Sequence, residues 1–424
     1  MRRMRDSLLL SVLVLLLAGV SWTQTQQAAA APEVEMHRPG VMPDRIVLSW
    51  TGDPARSHAV TWRTDTSVTR AVAQIGIARP GPKLAPQTQT VPAATTSLVT
   101  DLWTANYHSV TFRKLTPDTL YAYRVGDGSH WSEWLQFRAA SDRPQPFSFI
   151  YFGDVQSEIR PLWSRVLRGA IQAAPRASFL AFGGDLVNHG ANDAEWGELF
   201  GAGGWVFGSI PVVPAPGNHE YGKDKTGRST LTRHWRAQFA LPENGPRGLE
   251  EYAYYVDYQG VRIISLDSVE MVTEQTAWLD KVLSNNPNRW TIAIFHYPIF
   301  SPAKGRDNPG LRAAWKPVLD KHRVDLVLTG HDHTYARSAL EGATIYVTSV
   351  SGAKMYGLER EPWMRRAAED TQLFQVITID SDALAFEART ATGELYDAFE
   401  LRKQRGKPNV LVDQIPAGIA ERRR

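Results

Sequence analysis

The chain has 424 residues, with 47 Lys and Arg against 44 Asp and Glu and a formal charge of +3. That near balance gives no case for a dedicated nucleic-acid surface, and the length suffices for two or three domains with a sizeable core. The absence of cysteine excludes disulfides, thiolate metal sites and a lipid anchor through Cys.

The first residues read as a secretory signal. Arg2, Arg3 and Arg5 make a basic start, and Leu8 to Val20 is an apolar stretch broken only by Ser11. Small residues follow, with cleavage expected near Ser21 or within Ala28 to Ala31. Residues 1–31 are assigned to this signal and the start of a linker. The stretch is short for a bilayer span, so an uncleaved anchor is the weaker alternative. Arg2-Arg3 followed by Met-Arg-Asp fits a twin-arginine signal poorly. No other stretch is long and apolar enough to span. The expected address is the periplasm or the outside of a bacterial cell. Gln24 to Asp44 is rich in Ala, Gln and Pro and reads as linker.

Residues 41–140 have an all-β pattern. Ile46 to Trp50, Ala59 to Thr64, Ser109 to Phe112 and Tyr121 to Val125 alternate as strands. Leu115-Thr116-Pro117-Asp118-Thr119-Leu120-Tyr121 resembles the tyrosine corner of fibronectin type III domains, which implies a small β-sandwich. In such a corner the Tyr hydroxyl returns to nearby backbone. The favoured role for this domain is a structural brace, with substrate binding the lesser option.

Ser141 to Pro146 is a polar hinge. From Phe147 onward strand and helix signals alternate, and residues 145–403 are assigned to a second domain. Pro161 to Ala173, Thr273 to Leu283 and Leu311 to His322 read as helices. Thr344 to Ser349, Phe374 to Ile379 and Leu384 to Ala388 read as late strands. Residues 404–424, ending in Arg422-Arg423-Arg424, read as a basic tail that is frayed or peripherally packed.

Within this second domain, five short apolar runs each end on residues able to bind metal. Phe147 to Phe152 leads into Gly153-Asp154. Phe179 to Phe182 leads into Gly184-Asp185, and Pro211 to Ala215 into Gly217-Asn218-His219-Glu220. Thr291 to Phe295 leads into His296, and Val324 to Leu328 into Gly330-His331-Asp332-His333. Such runs, alternating with helices, read as buried parallel strands. The motifs should therefore collect at the carboxyl end of one sheet, where ligands bind in α/β folds. Two Asp, one Asn and up to four His at one place suit two hard or borderline cations.

The order and spacing of these blocks resemble the metallophosphoesterase (calcineurin-like) superfamily. The closer resemblance is to its purple acid phosphatase-like branch with an N-terminal fibronectin-like domain. The resemblance implies an all-β sandwich followed by an α/β metallophosphoesterase domain, itself a two-sheet sandwich flanked by helices. It implies that Asp185 bridges two divalent ions. Asp154 and His333 would bind the first ion, and Asn218, His296 and His331 the second. It also implies that His219 contacts substrate and protonates the leaving oxygen. Glu220 would orient His219 from outside the ligand ring. Asp332 reads as a turn or supporting carboxylate.

Two positions depart from the related patterns. The phenolate Tyr that follows Gly-Asp in purple enzymes is Asn188 here, and the His of the Asp-x-His found in many other superfamily members is Gln156. Gln156 and Asn188 are thus candidates to complete the first ion through a carbonyl oxygen. Neutral oxygen donors favour Mn²⁺ or Mg²⁺, with Fe²⁺ and Zn²⁺ also compatible. Without the phenolate, no purple colour is expected. Tyr335 and Arg337 follow the last motif and are candidate phosphate contacts, with a structural ion pair as the alternative for Arg337. Lys304 and Arg306 stand in the neighbourhood where purple enzymes carry further substrate-binding His, and read either as phosphate-attracting cations or as a solvated loop.

The expected activity is a secreted phosphomonoesterase in which a metal-bound hydroxide attacks phosphorus. A phosphodiesterase or nucleotidase on the same site is one alternative. A noncatalytic metal-binding scaffold with a binding β-sandwich is another. The oligomeric state and the natural substrate stay open at this level.

Overall fold

The computed structural model describes residues 33–404 and 407–423. The signal assigned to residues 1–31 lies outside the described residues. Within the first compact unit, Met1–Met36, the described part is one helical turn, Glu33–Met36. Everything from His37 on forms one compact unit. Among the described residues, no helix is long and apolar enough to cross a membrane.

The N-terminal region is a sandwich of two four-stranded antiparallel sheets. One sheet pairs β1 (Asp44–Ser49), β2 (Ser57–Thr64), β6 (Thr104–Arg113) and β5 (Ala94–Val99), in that order. The other pairs β4 (Gln89–Pro92), β3 (Val72–Ile77), β7 (Leu120–Gly126) and β8 (Leu135–Arg138). Alternating residues turn Val60, Trp62, Phe112, Tyr123 and Phe137 into the space between the sheets. Tyr121 makes its corner as expected: its hydroxyl accepts the Thr116 N–H at 2.9 Å.

The second region carries two seven-stranded sheets. The first runs β11 (Val212–Pro214), β10 (Leu180–Phe182), β9 (Phe147–Phe152), β21 (Leu373–Asp380), β22 (Ala383–Thr390), β23 (Leu395–Gln404), β24 (Lys407–Asp413). The second runs β14 (Tyr254–Tyr258), β15 (Val261–Ser265), β16 (Trp290–Ile294), β17 (Leu326–Thr329), β19 (Ile345–Thr348), β18 (Tyr335–Ser338), β20 (Met364–Ala368). Strands β9, β10 and β11 are parallel, as are β15, β16, β17 and β19. The five ligand-bearing strands are therefore split between two sheets, three in one and two in the other, which corrects the expectation of a single sheet. The parallel strands form one edge of the first sheet and the middle of the second, and the carboxyl ends of both sets meet at the site. Helices α1 (Ser164–Ala173), α2 (Asp193–Gly203), α3 (Trp205–Ser209), α4 (Arg233–Gln238), α5 (Val272–Ser284) and α6 (Pro309–Lys321) complete the chain. The paired short strands β12 (Tyr221–Lys223) and β13 (Ser229–Leu231) leave directly from the third motif.

Of the two readings of the tail, frayed or peripherally packed, the described residues 407–423 take the second. Strand β24 extends the first sheet by pairing with β23, and the Glu421 carboxylate accepts the Ala367 N–H at 3.0 Å. Strand β24 carries the run Val410-Leu411-Val412, and Leu411 packs against the main apolar core.

The two regions share one core. Val47, Trp50 and Ala55 of the sandwich pack into the same apolar cluster as Phe149, Phe179 and Tyr258. The Trp50 ring lies 5.7 Å from that of Phe179 and 5.4 Å from that of Tyr258. The sandwich is thus fixed against the metal-motif region through apolar burial.

Candidate metal centre

Each candidate ligand stands just past the end of a strand, where the backbone turns away and the side chain is left at the sheet edge. Three of them turn sharply: Asp185, His331 and His333 have φ of 51°, 71° and 47°. A left-handed backbone costs a non-glycine residue on the order of 1 kcal/mol, and such strain concentrates at functional sites. Two glycines permit the close approach. A Cβ at Gly217 would lie 2.2 Å from Asp185 Oδ1, and one at Gly330 would lie 2.2 Å from Asp154 Oδ1.

The imidazoles are aimed by their outer nitrogens. His296 Nδ1 donates to the Gly183 carbonyl at 2.9 Å, which leaves its Nε2 lone pair facing inward. There it lies 3.0 Å from Asn218 Oδ1, 3.2 Å from Asp185 Oδ2 and 3.1 Å from His331 Nδ1. His333 Nδ1 donates to the Lys354 carbonyl at 2.8 Å, and its Nε2 stands 3.2 Å from Asp154 Oδ2. Two ligand triads result, Asp185 with His296 and His331, and Asp154 with Asp185 and His333, each with all donor atoms within 4.8 Å of one another. Asp185 belongs to both.

The donors present fit two cations. Lone pairs converge from several sides with no fixed cation among them, and Asp154 Oδ2 and Gln156 Oε1 are buried without any hydrogen-bond partner. The field of the site is strongly negative. Burial works against a charge on His296, yet Asp185 and Asp154 pull its pKa up to about 9. Burial, with Asp185 adding to it against the pull of His296, pushes Asp154 up to about 7. These are the marks of a place that holds positive charge.

Gln156 is fully buried inside this cluster. Its Nε2 lies 2.9 Å from Asp185 Oδ2 and 3.1 Å from His333 Nε2, while its Oε1 is the orphaned atom. Asn188 is placed differently. Its side chain lies beside the His189 ring, 3.1 Å from Nδ1, and its main-chain carbonyl accepts from His219 Nδ1 at 2.6 Å.

His219 is half-buried, with its N–H donating to Asp185 Oδ1 at 2.8 Å. A carbonyl only accepts, so the bond to Asn188 fixes the proton on Nδ1 and turns Nε2 to the cleft, 3.9 Å from Asp185 Oδ2. Glu220 does not touch His219, contrary to expectation. Its buried carboxylate accepts from the N–H groups of Asp185 (2.9 Å), Gly217 (2.7 Å), Leu186 (2.7 Å) and Val187 (3.3 Å). It stitches the second motif to the third. Burial beside Asp185 raises its pKa to about 8, with the backbone donors pulling the other way. Asp332 holds the neighbouring loop, accepting from the Ser301 hydroxyl and facing Arg306 Nε at 3.5 Å.

Of the substrate-binding candidates, Arg306 reaches the site and two others do not. Arg306 Nη2 donates to His331 Nε2 at 2.6 Å, and its guanidinium lies over the Tyr356 ring. Lys304 is exposed on the same loop. Arg337 and Tyr335 are both fully buried and committed elsewhere. The guanidinium makes a forked pair with Asp397, 2.7 and 3.1 Å, and meets Asp413 at 2.9 Å. The Tyr335 hydroxyl donates to the same Asp397 at 2.7 Å. Both are structural.

Residues not foreseen complete the rim. The Tyr297 ring stands 4.2 Å from that of His331, and the Tyr356 ring 4.5 Å from that of His333. Tyr297 was within reach of sequence reasoning because it follows His296 directly. Tyr356 comes from a loop with no motif of its own.

Comparison with known proteins agrees with this geometry. Residues 43–139 match the family described as Purple acid Phosphatase, N-terminal domain, and residues 147–335 match Calcineurin-like phosphoesterase. The chain belongs to the calcineurin-like phosphoesterases, in their purple acid phosphatase branch. It is 28% identical over 328 residues to human Acid phosphatase type 7, covering 70% of this chain and 71% of that one. It is 25% identical over 294 residues to the Fe(3+)-Zn(2+) purple acid phosphatase 12 of Arabidopsis thaliana, covering 60% and 61%. It spans about half the length of a Mycobacterium tuberculosis relative. The fold matches that of a purple acid phosphatase from yellow lupin seeds with a TM-score of 0.73 at 19% identity, over 85% of this chain and 74% of that one.

Proposed function

We propose that this protein hydrolyses phosphate monoesters at a two-cation centre. The observation that carries the reading is the sharing of buried Asp185 between two ligand triads, which suits two cations about 3.5–4 Å apart. Asp154, Asp185 and His333 would hold one ion, with the Gln156 amide beside them, and Asp185, Asn218, His296 and His331 the other. When bound, such ions activate water and offset charge on the phosphoryl oxygens. Donor chemistry favours Mn²⁺ or Mg²⁺ at the first position and admits Fe²⁺ or Zn²⁺.

The chain's own residues do the rest. His219 presents Nε2 to the cleft, and with a proton there it can deliver that proton to the leaving oxygen. The Asn188 carbonyl keeps the ring from turning. Arg306, the guanidinium at the mouth, meets phosphate oxygens, and Tyr297 and Tyr356 wall the entrance. The signal-like start of the sequence supports export from the cytoplasm, which N-terminal sequencing of the mature protein would check.

The test is hydrolysis of the mono- and diesters of p-nitrophenyl phosphate by apo protein refilled separately with Mn²⁺, Zn²⁺, Fe²⁺ and Mg²⁺, with Asp185→Ala as control. Metal-dependent monoester turnover absent from the control is the expected result. Faster turnover of the diester overturns the monoester preference. Folded, metal-loaded protein without turnover of either overturns the enzyme reading. No refilled form should show a strong visible charge-transfer band, because Asn188 stands where the phenolate would be.

A further inference from the structure

We propose that the N-terminal β-sandwich is a positioning element of the catalytic site. Arg45, Arg63 and Asp101 hold, through Asp193 and the first turn of α2, the loop whose Asn188 carbonyl sets the ring of His219. The inference rests on the phosphoesterase reading only for what His219 does, not for how it is held.

The path is continuous. Asp193 is fully buried at the start of α2, outside the metal cluster. Arg45 of β1 forks onto its two carboxylate oxygens at 2.7 and 2.9 Å and onto its carbonyl at 3.0 Å. Arg63 of β2 adds 3.2 Å to Oδ2, and Asp101, between β5 and β6, accepts the Asp193 N–H at 2.9 Å. Three sandwich residues therefore grip one residue of the catalytic region. One step further, Asn192 caps α2 by accepting from Ala194 and Glu195. Glu195 turns back in that first turn to accept the N–H groups of Asn188 (2.6 Å) and His189 (2.8 Å). The Asn188 carbonyl then accepts a hydrogen bond from His219 Nδ1–H at 2.6 Å. A second strut closes the loop: Gly190 N–H donates to the His219 carbonyl at 2.8 Å, the Thr232 hydroxyl donates to the Gly190 carbonyl at 2.6 Å and accepts the His234 N–H at 3.3 Å, and His234 Nε2 returns to Asp193 Oδ1 at 3.2 Å.

Mere attachment of the sandwich does not call for this cluster. Trp50 and Val47 already join the two regions through the apolar core. A buried ion group adds little net stability over apolar packing, but its forked bonds fix orientation. Orientation is what the His219 ring requires, since a small misplacement of a reacting group costs up to about 10²-fold in rate. A ring released by Asn188 is free to rotate and to exchange the nitrogen facing the cleft.

The experiment uses full-length, metal-loaded protein with Glu195→Ala in the middle of the path, Asp101→Ala at its exposed sandwich end, and Asp101→Asn as the conservative rescue. Arg45→Met is the farther variant, and should it fail to fold the other two decide. Two readouts are taken. The first is the ring-nitrogen NMR signature of His219, which needs no turnover. The second is the kcat ratio between an alkyl phosphate, whose leaving oxygen needs a proton, and p-nitrophenyl phosphate, which needs one less. Glu195→Ala should lose the fixed Nδ1–H form and lower the ratio about ten-fold, toward that of His219→Ala. Asp101→Ala should lower it about two-fold or more, with Asp101→Asn restored and metal content unchanged in all. An unchanged Nδ1–H form in both Ala variants overturns the proposal. So does an equal fall on both esters, which is what lost stability alone would give. Were the wild type to turn over neither ester, the phosphoesterase reading would fail while the NMR signature still decided this one.

Discussion

Asp185 and Asp193 lie one loop apart in sequence and are buried alike, at 1% and 0% exposure. Their surroundings are opposite. Asp193 is met by two guanidiniums that cannot give up their charge, together with His234. Burial opposes its ionisation, but the hydrogen bonds from His234 and Arg45 and the charges of both arginines hold its pKa well below the usual carboxylate range. Asp185 meets imidazoles, the Gln156 amide, the His219 backbone N–H and the charge of the second carboxylate, Asp154, and its neighbourhood keeps orphaned acceptors. A buried carboxylate matched by fixed cations is part of the frame. One surrounded by aimed lone pairs and left-handed backbone is built for a charge that comes from outside.

The largest expected contrast comes from neutralising each in turn. Asp185→Asn should lower turnover by about 10³-fold and reduce bound metal, while unfolding after chelation shifts little. Metal analysis beside denaturation curves checks both halves. Asp193→Asn should do the reverse, costing about 3–5 kcal/mol in denaturant unfolding because Arg45 and Arg63 stay buried without their anion. The folded fraction should keep its metal, and a loss of metal there would blur the distinction. Arg337→Met extends the comparison to a residue whose sequence position leaves phosphate contact and structural ion pair both open. It should cost about 3 kcal/mol through Asp397 and leave KM unchanged. A raised KM would return Arg337 to the site.

The smallest effect concerns acid stability of the sandwich. His58 is buried, accepts the Trp50 indole N–H at 2.9 Å and stacks on Phe137. Burial lowers its pKa from 6.5 to about 3, and that of His108 to about 4. Between these values and 6.5 the unfolded chain binds protons that the folded chain refuses. Stability is therefore full above pH 6.5 and falls as pH drops, at on the order of 1 kcal/mol per pH unit for each group. His58→Gln, which keeps an acceptor for Trp50, should flatten part of that acid limb in denaturation curves taken from pH 7 to pH 4.

The ligands were legible because each motif couples a strand signal to a chemical one. An apolar run that stops at Gly-Asp or Gly-Asn-His places its side chain at a sheet edge whatever else the chain does. For Arg337 the ion-pair reading holds rather than the phosphate contact, and for Tyr335 the phosphate contact fails, since proximity to His333 in sequence says nothing about a partner such as Asp397, which arrives from another strand. Glu220 was placed near the right residues but given the wrong neighbour. Its carboxylate is engaged by backbone N–H groups, which carry no sequence signature. The apolar runs did not reveal that two sheets share them, because pairing between β9 and β21 or between β16 and β17 is a long-range choice.

By itself, the sequence determined that short apolar runs end on Asp, Asn and His, a local property of residue type and spacing, while the ligand roles and the missing phenolate and imidazole at Asn188 and Gln156 came from the family resemblance those motifs carry. Only the tertiary structure decided that Asp185 is shared by two triads, that Arg306 and not Arg337 reaches them, and that the sandwich grips Asp193. Those outcomes depend on which side chains distant segments bring within hydrogen-bond reach, and burial of a common core, not local preference, sets that meeting.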